Sequence, residues 1–278
     1  MPLSALADEA AIGVFDSGVG GLSVLRAIRD QLPEEDLLYL ADSGHAPYGD
    51  RDAGFITERA ARITEFLLAC GVKAIVVACN TVTVVAIERL RSWCPVPIVA
   101  MEPAIKPASM ATRSGVVGVL ATSRTLASPA VAQLCALHGT KIRILLQACP
   151  GLVEQVERAE LASHATRSLL ARYIAPLLEA GADTIVLGCT HYPFLRPLVR
   201  DIVGRDVSIL DPAAAVARQL ARRLGPHRAR LRAGRVAQER FFSSAPLAQA
   251  RAVMSALWGK SVDVHAFDGA PRVRAAER

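Results

Sequence analysis

The chain has 278 residues, of which 52% are hydrophobic and 5% aromatic, and its formal net charge at pH 7 is +6. This length suffices for two α/β domains of ordinary size. No apolar stretch is long enough to span a bilayer, and the first ten residues, which include Asp8 and Glu9, lack the basic and apolar regions of a secretion signal. The sequence therefore predicts a globular, cytoplasmic protein without a membrane partner.

The basic excess is concentrated late in the chain, in Arg218, Arg222, Arg223 and the segment 227–232. Such a cluster suits either a nucleic-acid-binding patch or a solvated helix face and loop. No nucleic-acid-binding motif accompanies the cluster, so we favour the solvated surface and do not expect a nucleic-acid partner.

The six cysteines contain no C-x-x-C pair, so neither a structural zinc site nor any other metal site is predicted. A disulfide framework is not expected in a cytoplasmic chain of this size. Four cysteines fall in predicted helices or loops and are interpreted as small core residues: Cys70, Cys94, Cys135 and Cys149.

The first predicted strand ends at Asp16-Ser17 and continues through a glycine-rich turn, Gly18-Val19-Gly20-Gly21, into a helix that reaches about Gln31. Open parallel sheets bind ligands at the carboxyl ends of their strands. The glycines would let a ligand approach the backbone, and the helix start offers N–H groups to an anion. The glycine spacing matches neither the dinucleotide fingerprint nor the P-loop.

A second strand, 36–40, leads into a loop that contains Pro47-Tyr48-Gly49. The Tyr-Gly pair suits a substrate-contacting wall with an available backbone N–H, or an ordinary turn.

One pattern occurs twice, at 74–81 and at 184–191. Each copy is an apolar run that ends in a small residue and a cysteine, Cys79 or Cys189, and continues with polar residues, Asn80-Thr81 or Thr190-His191. A buried parallel strand that delivers a thiol to a functional edge has this pattern. The repeat predicts two thiols that face each other across a cleft.

Strands and helices alternate through the rest of the chain. The further predicted strands are 96–101, 115–123, which ends in hydroxyl residues like the Asp-Ser of the first strand, 142–147, 207–212, 239–243 and 261–267. The further predicted helices are 55–69, 83–91, 129–138, 164–180, 213–224 and 247–258. Unbroken apolar strands predict an α/β fold with mostly parallel sheets covered by helices.

The strand–helix pattern restarts near Glu102, after a short strand. We therefore predict two similar α/β domains: residues 1–101 and 102–211, with 212–278 returning to the first. The last residues, 270–278, are expected to be frayed.

A thiol at a strand end and helix start is expected to have a pKa lowered from ~8.5 towards neutrality by the helix dipole. Two such thiols, Cys79 and Cys189, related by a repeat, suit a symmetric reaction in which one removes a proton from a carbon and the other returns one to the opposite face. The alternative is a pair of buried core cysteines. The polar residues after each thiol favour catalysis, and His191 suits either a core histidine or a group that sets the proton state of Cys189.

These motifs, together with Tyr192-Pro193 after His191, resemble glutamate racemases in order over about 12–224. The resemblance implies a cofactor-independent enzyme that interconverts L- and D-glutamate and supplies D-glutamate for peptidoglycan. It also implies two pseudosymmetric α/β domains with the active site in the cleft between them.

By motif position, the resemblance makes Cys79 and Cys189 the catalytic acid/base residues. The implied substrate-binding residues are Asp16, Ser17, Tyr48, Gly49, Asn80, Thr81, Thr190 and His191. Asp16 and His191 would also activate the neighbouring thiols, and Asp16 would suit the substrate ammonium. Glu154 lies near a position that the family associates with pocket electrostatics.

The sequence departs from the family pattern at Val82-Thr83 and Pro212-Ala213. Residues 103–108 resemble proteobacterial members, some of which need a cell-wall precursor as activator. A homodimer is a further expectation.

Alternative functions are aspartate or hydantoin racemase activity and a non-catalytic role such as inhibition of DNA gyrase. A pyridoxal-phosphate racemase would need a Schiff-base lysine, a position for which the sequence leaves Lys73 open.

Overall fold

The computed structural model describes residues 10–229 and 236–269, which form two β-sheets flanked by α-helices. The strands are β1 (Ile12–Asp16), β2 (Leu37–Ala41), β3 (Ala74–Val77), β4 (Ile98–Ala100), β5 (Val116–Ala121), β6 (Arg143–Ala148), β7 (Thr184–Leu187), β8 (Ser208–Leu210), β9 (Glu239–Ser243) and β10 (Val264–Ala266). Every strand pair in these described ranges is parallel. The predicted fold class is confirmed.

The helices cover the sheets and connect successive strands. They are α1 (Leu22–Gln31), α2 (Ala53–Ala69), α3 (Asn80–Trp93), α4 (Ile105–Ala111), α5 (Ser123–Leu126), α6 (Pro129–His138), α7 (Leu152–Glu157), α8 (His164–Glu179), α9 (Arg196–Val203), α10 (Ala213–Leu224) and α11 (Leu247–Trp258). Within the described ranges, no helix is both long and apolar enough to cross a membrane.

The two sheets repeat one strand order. The first has the order β10-β9-β2-β1-β3-β4, and the second has β6-β5-β7-β8. The order β2-β1-β3-β4 in the first sheet corresponds to β6-β5-β7-β8 in the second. β3 and β7, which precede the two repeated cysteines, therefore occupy equivalent places in the two sheets.

After the second sheet the chain returns to the first. Helix α10 packs against α1 and β4, and β9 pairs with β2 and then with β10. The division into domains, with boundaries at 101/102 and 211/212 and the return of 212–278 to the first, stays a prediction. Two predictions concern residues outside the described ranges: the fraying of 270–278, and the part of the basic segment that spans 230–232.

The central strands are buried along their whole length because their apolar runs face helices on both sides. All residues of β1, β2, β3 and β7 are buried. One cluster of buried side chains continues from Leu22 of α1 to Tyr192 and Leu195 beside the second sheet. The hydrophobic core is therefore shared by the two sheets at their junction.

Three local differences from the sequence prediction have physical reasons. Helix α3 begins at Asn80 rather than 83, because Cys79 itself is the N-cap residue. Helix α9 was not predicted; it follows a Pro-containing 3₁₀ turn and buries Leu198, Val199 and Val203. The segment after Glu102, where the strand–helix pattern restarts, begins with α4, which was not among the predicted helices.

The interpretation of four cysteines as small core residues is confirmed for Cys149 and holds in part for the other three, which pack against core clusters. Only Cys149 is buried, whereas Cys70, Cys94 and Cys135 are partly exposed. Cys70 and Cys94 are the C-cap residues of α2 and α3, and Cys135 lies on α6, which is largely exposed. Helix ends lie at the rim of a sheet, where burial is incomplete.

A buried ion pair fastens the returning chain to the first sheet. The Lys73 Nζ atom lies 2.7 Å from Glu35 Oε2, and both side chains are almost fully excluded from solvent. Lys73 Nζ also donates to the His227 carbonyl, and the Ala229 N–H donates to Glu35 Oε1. Lys73 precedes β3 whereas Cys79 follows it, so the lysine lies at the opposite edge of the sheet from the thiol.

The substitution Glu35→Gln should destabilise the fold by about 3–5 kcal/mol, because it leaves the buried Lys73 ammonium without the charge of Glu35. The free energy of unfolding from denaturant titration measures this loss. The control is Glu58→Gln, whose partner Arg62 is half exposed, and it should cost no more than about 1 kcal/mol. If both variants lost the same free energy of unfolding, the buried pair would not contribute more to stability than the exposed one.

Candidate active site

The two repeated strands deliver their cysteines to one pocket between the sheets. Cys79 follows β3 and Cys189 follows β7, each after one intervening residue, and both thiols line a pocket with an empty volume of about 290 Å³. The other lining residues are Ser17, Pro47, Tyr48, Gly49, Asn80, Thr81, Thr122, Thr125, Val153, Gly188, Thr190 and His191. The pocket lies at the carboxyl ends of both parallel sheets, where such folds place ligands.

Of the predicted site residues, all but Asp16 line this pocket. Asp16 is fully buried beside the pocket. The departures from the family pattern do not line it either: Val82 is buried in the core, and the Thr83 hydroxyl donates to the Cys79 carbonyl. The residue roles themselves stay predictions.

Cys79 lies in a buried environment that opposes ionisation. Its Sγ atom is 3.5 Å from Ser17 Oγ, and only 4% of the residue is exposed. Burial raises the pKa of Cys79 well above its usual value, and the nearby Asp16 carboxylate raises it further. The expected lowering of this pKa by the α3 dipole is therefore wrong for Cys79, because desolvation outweighs the dipole.

Asp16 connects the glycine-rich turn to the second sheet. Its Oδ1 atom accepts from the Ser17 N–H at 2.7 Å, and Oδ2 accepts from the Gly21 N–H at 2.6 Å and from Thr190 Oγ1 at 3.0 Å. Burial raises the pKa of Asp16, against the opposing influence of the His191 charge and of hydrogen bonds from Cys79 and Thr190. Asp16 therefore orients Ser17 and Thr190, one residue on each side of the pocket.

Cys189 faces the imidazole of His191, whose other ring nitrogen contacts Glu157. His191 Nδ1 lies 3.7 Å from Cys189 Sγ, and His191 Nε2 lies 2.6 Å from Glu157 Oε1. Burial disfavours the imidazolium, but the contacts with Cys189 and Glu157 outweigh it and raise the pKa of His191 well above its usual range. Glu157 thus favours the cationic form of the imidazole that faces the second thiol.

Glu157 is a site residue that the sequence analysis missed. Glu154, which the resemblance suggested, lines a neighbouring cavity beside Asp50 and Cys149. The two glutamates stand three positions apart on α7, a spacing that puts both near one helix face. The sequence contains no signal that selects the second glutamate, because its partner His191 belongs to another segment.

Tyr48 is also positioned by residues that carried no sequence signal. Its hydroxyl donates to the buried Asp42, which forms an ion pair with Arg59 at 2.6 Å. Burial opposes ionisation of Asp42, but hydrogen bonds from Arg59 and Tyr48 lower its pKa below the usual value. The Tyr48 hydroxyl is therefore engaged, and the pocket is lined by the rest of Tyr48 and by Gly49.

Three hydroxyls meet across the pocket. Thr81 Oγ1 lies 3.1 Å from Thr122 Oγ1 and 3.3 Å from Thr125 Oγ1. The two threonines from the second sheet follow β5, whose hydroxyl-rich end the sequence indicated. Within the described part of the chain, the buried Oδ1 and Nδ2 atoms of Asn80 have no hydrogen-bond partner, so this amide is available to a ligand.

The glycine-rich turn does not serve as the anion cradle that the sequence suggested. The Val19 N–H donates to Glu157 Oε1 at 2.7 Å, and the Gly21 N–H donates to Asp16. Protein carboxylates therefore occupy these donors. Among the described residues, no group of three or more His, Cys, Asp or Glu side chains is placed to hold a metal ion.

Comparisons with known proteins identify the family of this chain. The family model described as Asp/Glu/Hydantoin racemase matches residues 12–220. The chain therefore belongs to this family of racemases.

Within the family, the similarity is to glutamate racemases, which are isomerases. The chain is 55% identical to the glutamate racemase of Ectopseudomonas mendocina, over 93% of this chain and 98% of that protein. A glutamate racemase isoform from Bacillus anthracis superposes with a TM-score of 0.82 at 29% identity, over 94% of this chain and 98% of that one. The Escherichia coli glutamate racemase, solved with L-glutamate and the activator UDP-MurNAc-Ala, superposes with a TM-score of 0.79 at 31% identity, over 93% and 97%.

The raised pKa of His191 predicts a pH-dependent contribution to stability. A pKa that is higher in the folded state than the unfolded value of ~6.5 adds stability that is fully present below pH 6.5 and is lost as pH rises through the folded pKa. The difference in unfolding free energy between the wild type and His191→Asn should therefore shrink above pH 6.5, by at most about 1.4 kcal/mol per pH unit. Denaturant titrations between pH 6 and 9 measure it, and a difference independent of pH would contradict the raised pKa.

Proposed function

We propose that this chain interconverts L- and D-glutamate without a cofactor, with Cys79 and Cys189 as the two acid/base groups. The observation that carries the proposal is that two thiols from equivalent strands of the two sheets line one buried pocket. Each thiol has its own polar partner, Ser17 for Cys79 and His191 for Cys189.

The proposed reaction moves two protons and leaves no net change in composition. One thiolate takes the proton from Cα, and the electron pair of the broken C–H bond is delocalised towards the α-carboxylate. The other thiol then gives its proton to the opposite face of Cα. The two sulfurs exchange protonation states, so the product state is ready for the opposite enantiomer. Positioned acid/base groups of this kind contribute roughly 10²–10⁴-fold to the rate.

The pocket offers donors for a dicarboxylate. We assign the substrate carboxylates to the unpartnered amide of Asn80, the hydroxyls of Thr81 and Thr190, the Ser17 hydroxyl and the Tyr48–Gly49 segment. Asp16, predicted to bind the ammonium, has oxygens that already accept from Ser17, Gly21 and Thr190. We propose that Asp16 contributes mainly by orienting the hydroxyls of Ser17 and Thr190, which both donate to it.

Glutamate is the proposed substrate because relatives at 51–55% identity over more than nine tenths of this chain are glutamate racemases. Aspartate or hydantoin racemisation is the alternative, and rates with L-aspartate and L-glutamate separate the two. We further propose that the product D-glutamate is used in the cytoplasm for peptidoglycan synthesis, and so for cell-wall biogenesis and cell shape. A homodimer and an inhibitory role towards DNA gyrase stay predictions.

The two thiols can be tested separately in D₂O. Purified protein without added cofactor should racemise both enantiomers and incorporate deuterium at Cα, as followed by circular dichroism and NMR. Cys79→Ser and Cys189→Ser should each abolish racemisation, and each should retain at most exchange of the Cα proton of one enantiomer, a different one for each variant. Cys135→Ser, far from the pocket, is the control and should remain active. Near wild-type racemisation by either pocket variant would refute the two-thiol assignment.

A second partner is proposed at the junction of the two sheets. A cavity with an empty volume of about 1020 Å³ is lined by both chain crossings, 100–107 and 210–219, and by Leu134 and His138. The cationic side chains of Lys106 and Arg218 line it and suit a diphosphate. Since the Escherichia coli relative was solved with the activator UDP-MurNAc-Ala, we propose that such a cell-wall precursor binds here and favours the active arrangement of the domains.

Addition of UDP-MurNAc-Ala should raise kcat/KM for glutamate, and the gain should saturate with precursor concentration. The variant Lys106→Glu should weaken this activation about tenfold in apparent affinity, as expected for loss of one charge-assisted contact. Its activity without the precursor should stay unchanged. Equal activation of the wild type and Lys106→Glu would exclude this cavity as the site, and no activation of the wild type would exclude this partner.

A further inference from the structure

The glycine-rich turn of the first sheet is packed against the groups that face the second thiol. A Cβ atom at Gly20 would lie 2.7 Å from both Cγ and Cε1 of His191, and closer still to Nδ1. A Cβ atom at Gly18 would lie 2.8 Å from Cδ of Glu157 and closer still to its Oε1. Real Cβ atoms do not approach so closely, so a side chain at either position would displace the imidazole or the carboxylate.

The two glycines are required for space rather than for backbone conformation. Gly18 has φ −161° and ψ −151°, which is extended backbone that any residue adopts, and Gly20 lies in a 3₁₀ turn with negative φ. Between them, the Val19 N–H donates to Glu157 Oε1 at 2.7 Å. The turn is itself held in place, since the Tyr39 hydroxyl donates to the Gly18 carbonyl at 2.7 Å.

We propose that the turn 18–20 positions the groups around Cys189, which we call the Cys189 half-site: Cys189, His191 and Glu157. The first domain would thereby determine where the Glu157–His191 pair meets the Cys189 thiol of the second domain. The proposal rests on the proposed function, because it assigns a role in the proton transfer of Cys189. Gly18 and Gly20 act by leaving room, and Val19 acts through its backbone N–H. None of these three residues contacts the substrate. The thiol of Cys79 is contacted separately, by Ser17.

The contact has a direct chemical consequence. The atom of His191 that a methyl group on Gly20 would strike is Nδ1, which faces Cys189 Sγ at 3.7 Å. A displaced imidazole no longer presents its charge to the sulfur, and proton transfer at that sulfur slows. A displacement of about 1 Å in such a constellation costs roughly 10²-fold in rate. The displaced groups are side-chain atoms rather than backbone, so the fold itself can adapt.

The test compares Gly20→Ala and Gly18→Ala with Gly13→Ala, which places a methyl group against Leu67 and Val72 at 3.1–3.3 Å within β1, away from the pocket. Racemisation kcat/KM should fall about 100-fold in the first two variants, whereas Gly13→Ala should stay active. Far-UV circular dichroism should show the first two to be folded like Gly13→Ala. An activity like that of Gly13→Ala in both variants overturns the proposal.

A second readout separates positioning from general damage. With α-deuterated substrates, Gly20→Ala should raise the isotope effect for the enantiomer whose proton goes to Cys189 and lower it for the other enantiomer. Ser17→Ala, which removes a contact to Cys79, should shift the two isotope effects in the opposite sense. If Gly20→Ala slowed both half-reactions equally and left the two isotope effects unchanged relative to each other, the turn would have only a structural role. This result would overturn the proposal.

A third readout does not depend on racemase activity. Iodoacetamide alkylation, followed by mass spectrometry at Cys79 and Cys189 separately, reports how readily each thiol ionises. In Gly20→Ala the alkylation of Cys189 should slow about tenfold, the factor for roughly 1.4 kcal/mol of lost thiolate stabilisation, while that of Cys79 stays constant. If the wild type proved inactive on glutamate, this measurement would still decide the positioning role. Unchanged alkylation of Cys189 would overturn it.

Discussion

One buried carboxylate holds the two halves of the pocket together. Asp16 is fully excluded from solvent at the end of β1, and its oxygens accept from Ser17 and Gly21 on its own turn and from Thr190 beyond β7. A buried carboxylate is costly unless donors surround it, so the loss of any one of these donors would leave part of its charge uncompensated. The same group therefore fixes the glycine-rich turn, orients the hydroxyl beside Cys79 and ties the loop after Cys189 to the first sheet.

The two half-sites share a backbone plan but differ in charge. Both thiols follow equivalent strands of one repeated order, yet Cys79 lies near a carboxylate, whereas Cys189 faces the imidazole of His191. Burial and the Asp16 charge raise the pKa of Cys79, and Glu157 helps to raise the pKa of His191. The pocket thus places one thiol where its protonated form is favoured and the other opposite an imidazole whose cationic form is favoured. On the proposed mechanism, this is the state that one of the two enantiomers requires.

The sequence predicted the features that local pattern determines. Unbroken apolar runs identified β3 and β7, and the repeated cysteine at their ends placed both thiols in one pocket. The sequence did not identify Glu157, Asp42 or the contact of the glycine-rich turn with the second sheet, because each of these depends on residues that are far apart in the chain. Glycines in a turn are compatible with a ligand or with another protein segment, and only the packed structure shows that His191 occupies the space. The predicted direction of the Cys79 pKa shift was wrong for a similar reason, because a sequence shows where a helix starts but not how deeply a residue is buried.

The difference between the half-sites is constrained by the reaction itself. Enantiomers have equal free energies in water, so the equilibrium constant of racemisation is one and kcat/KM must be the same in both directions. An environment that favours the protonated form of Cys79 therefore cannot favour one product at equilibrium. It can only divide kcat and KM differently for the two enantiomers, because interactions that stabilise one bound state raise the barrier that leads out of it. On the proposed two-thiol mechanism, the asymmetric charges of Asp16 and His191 thus set which enantiomer the enzyme holds more tightly, and the transition states remain common to both directions.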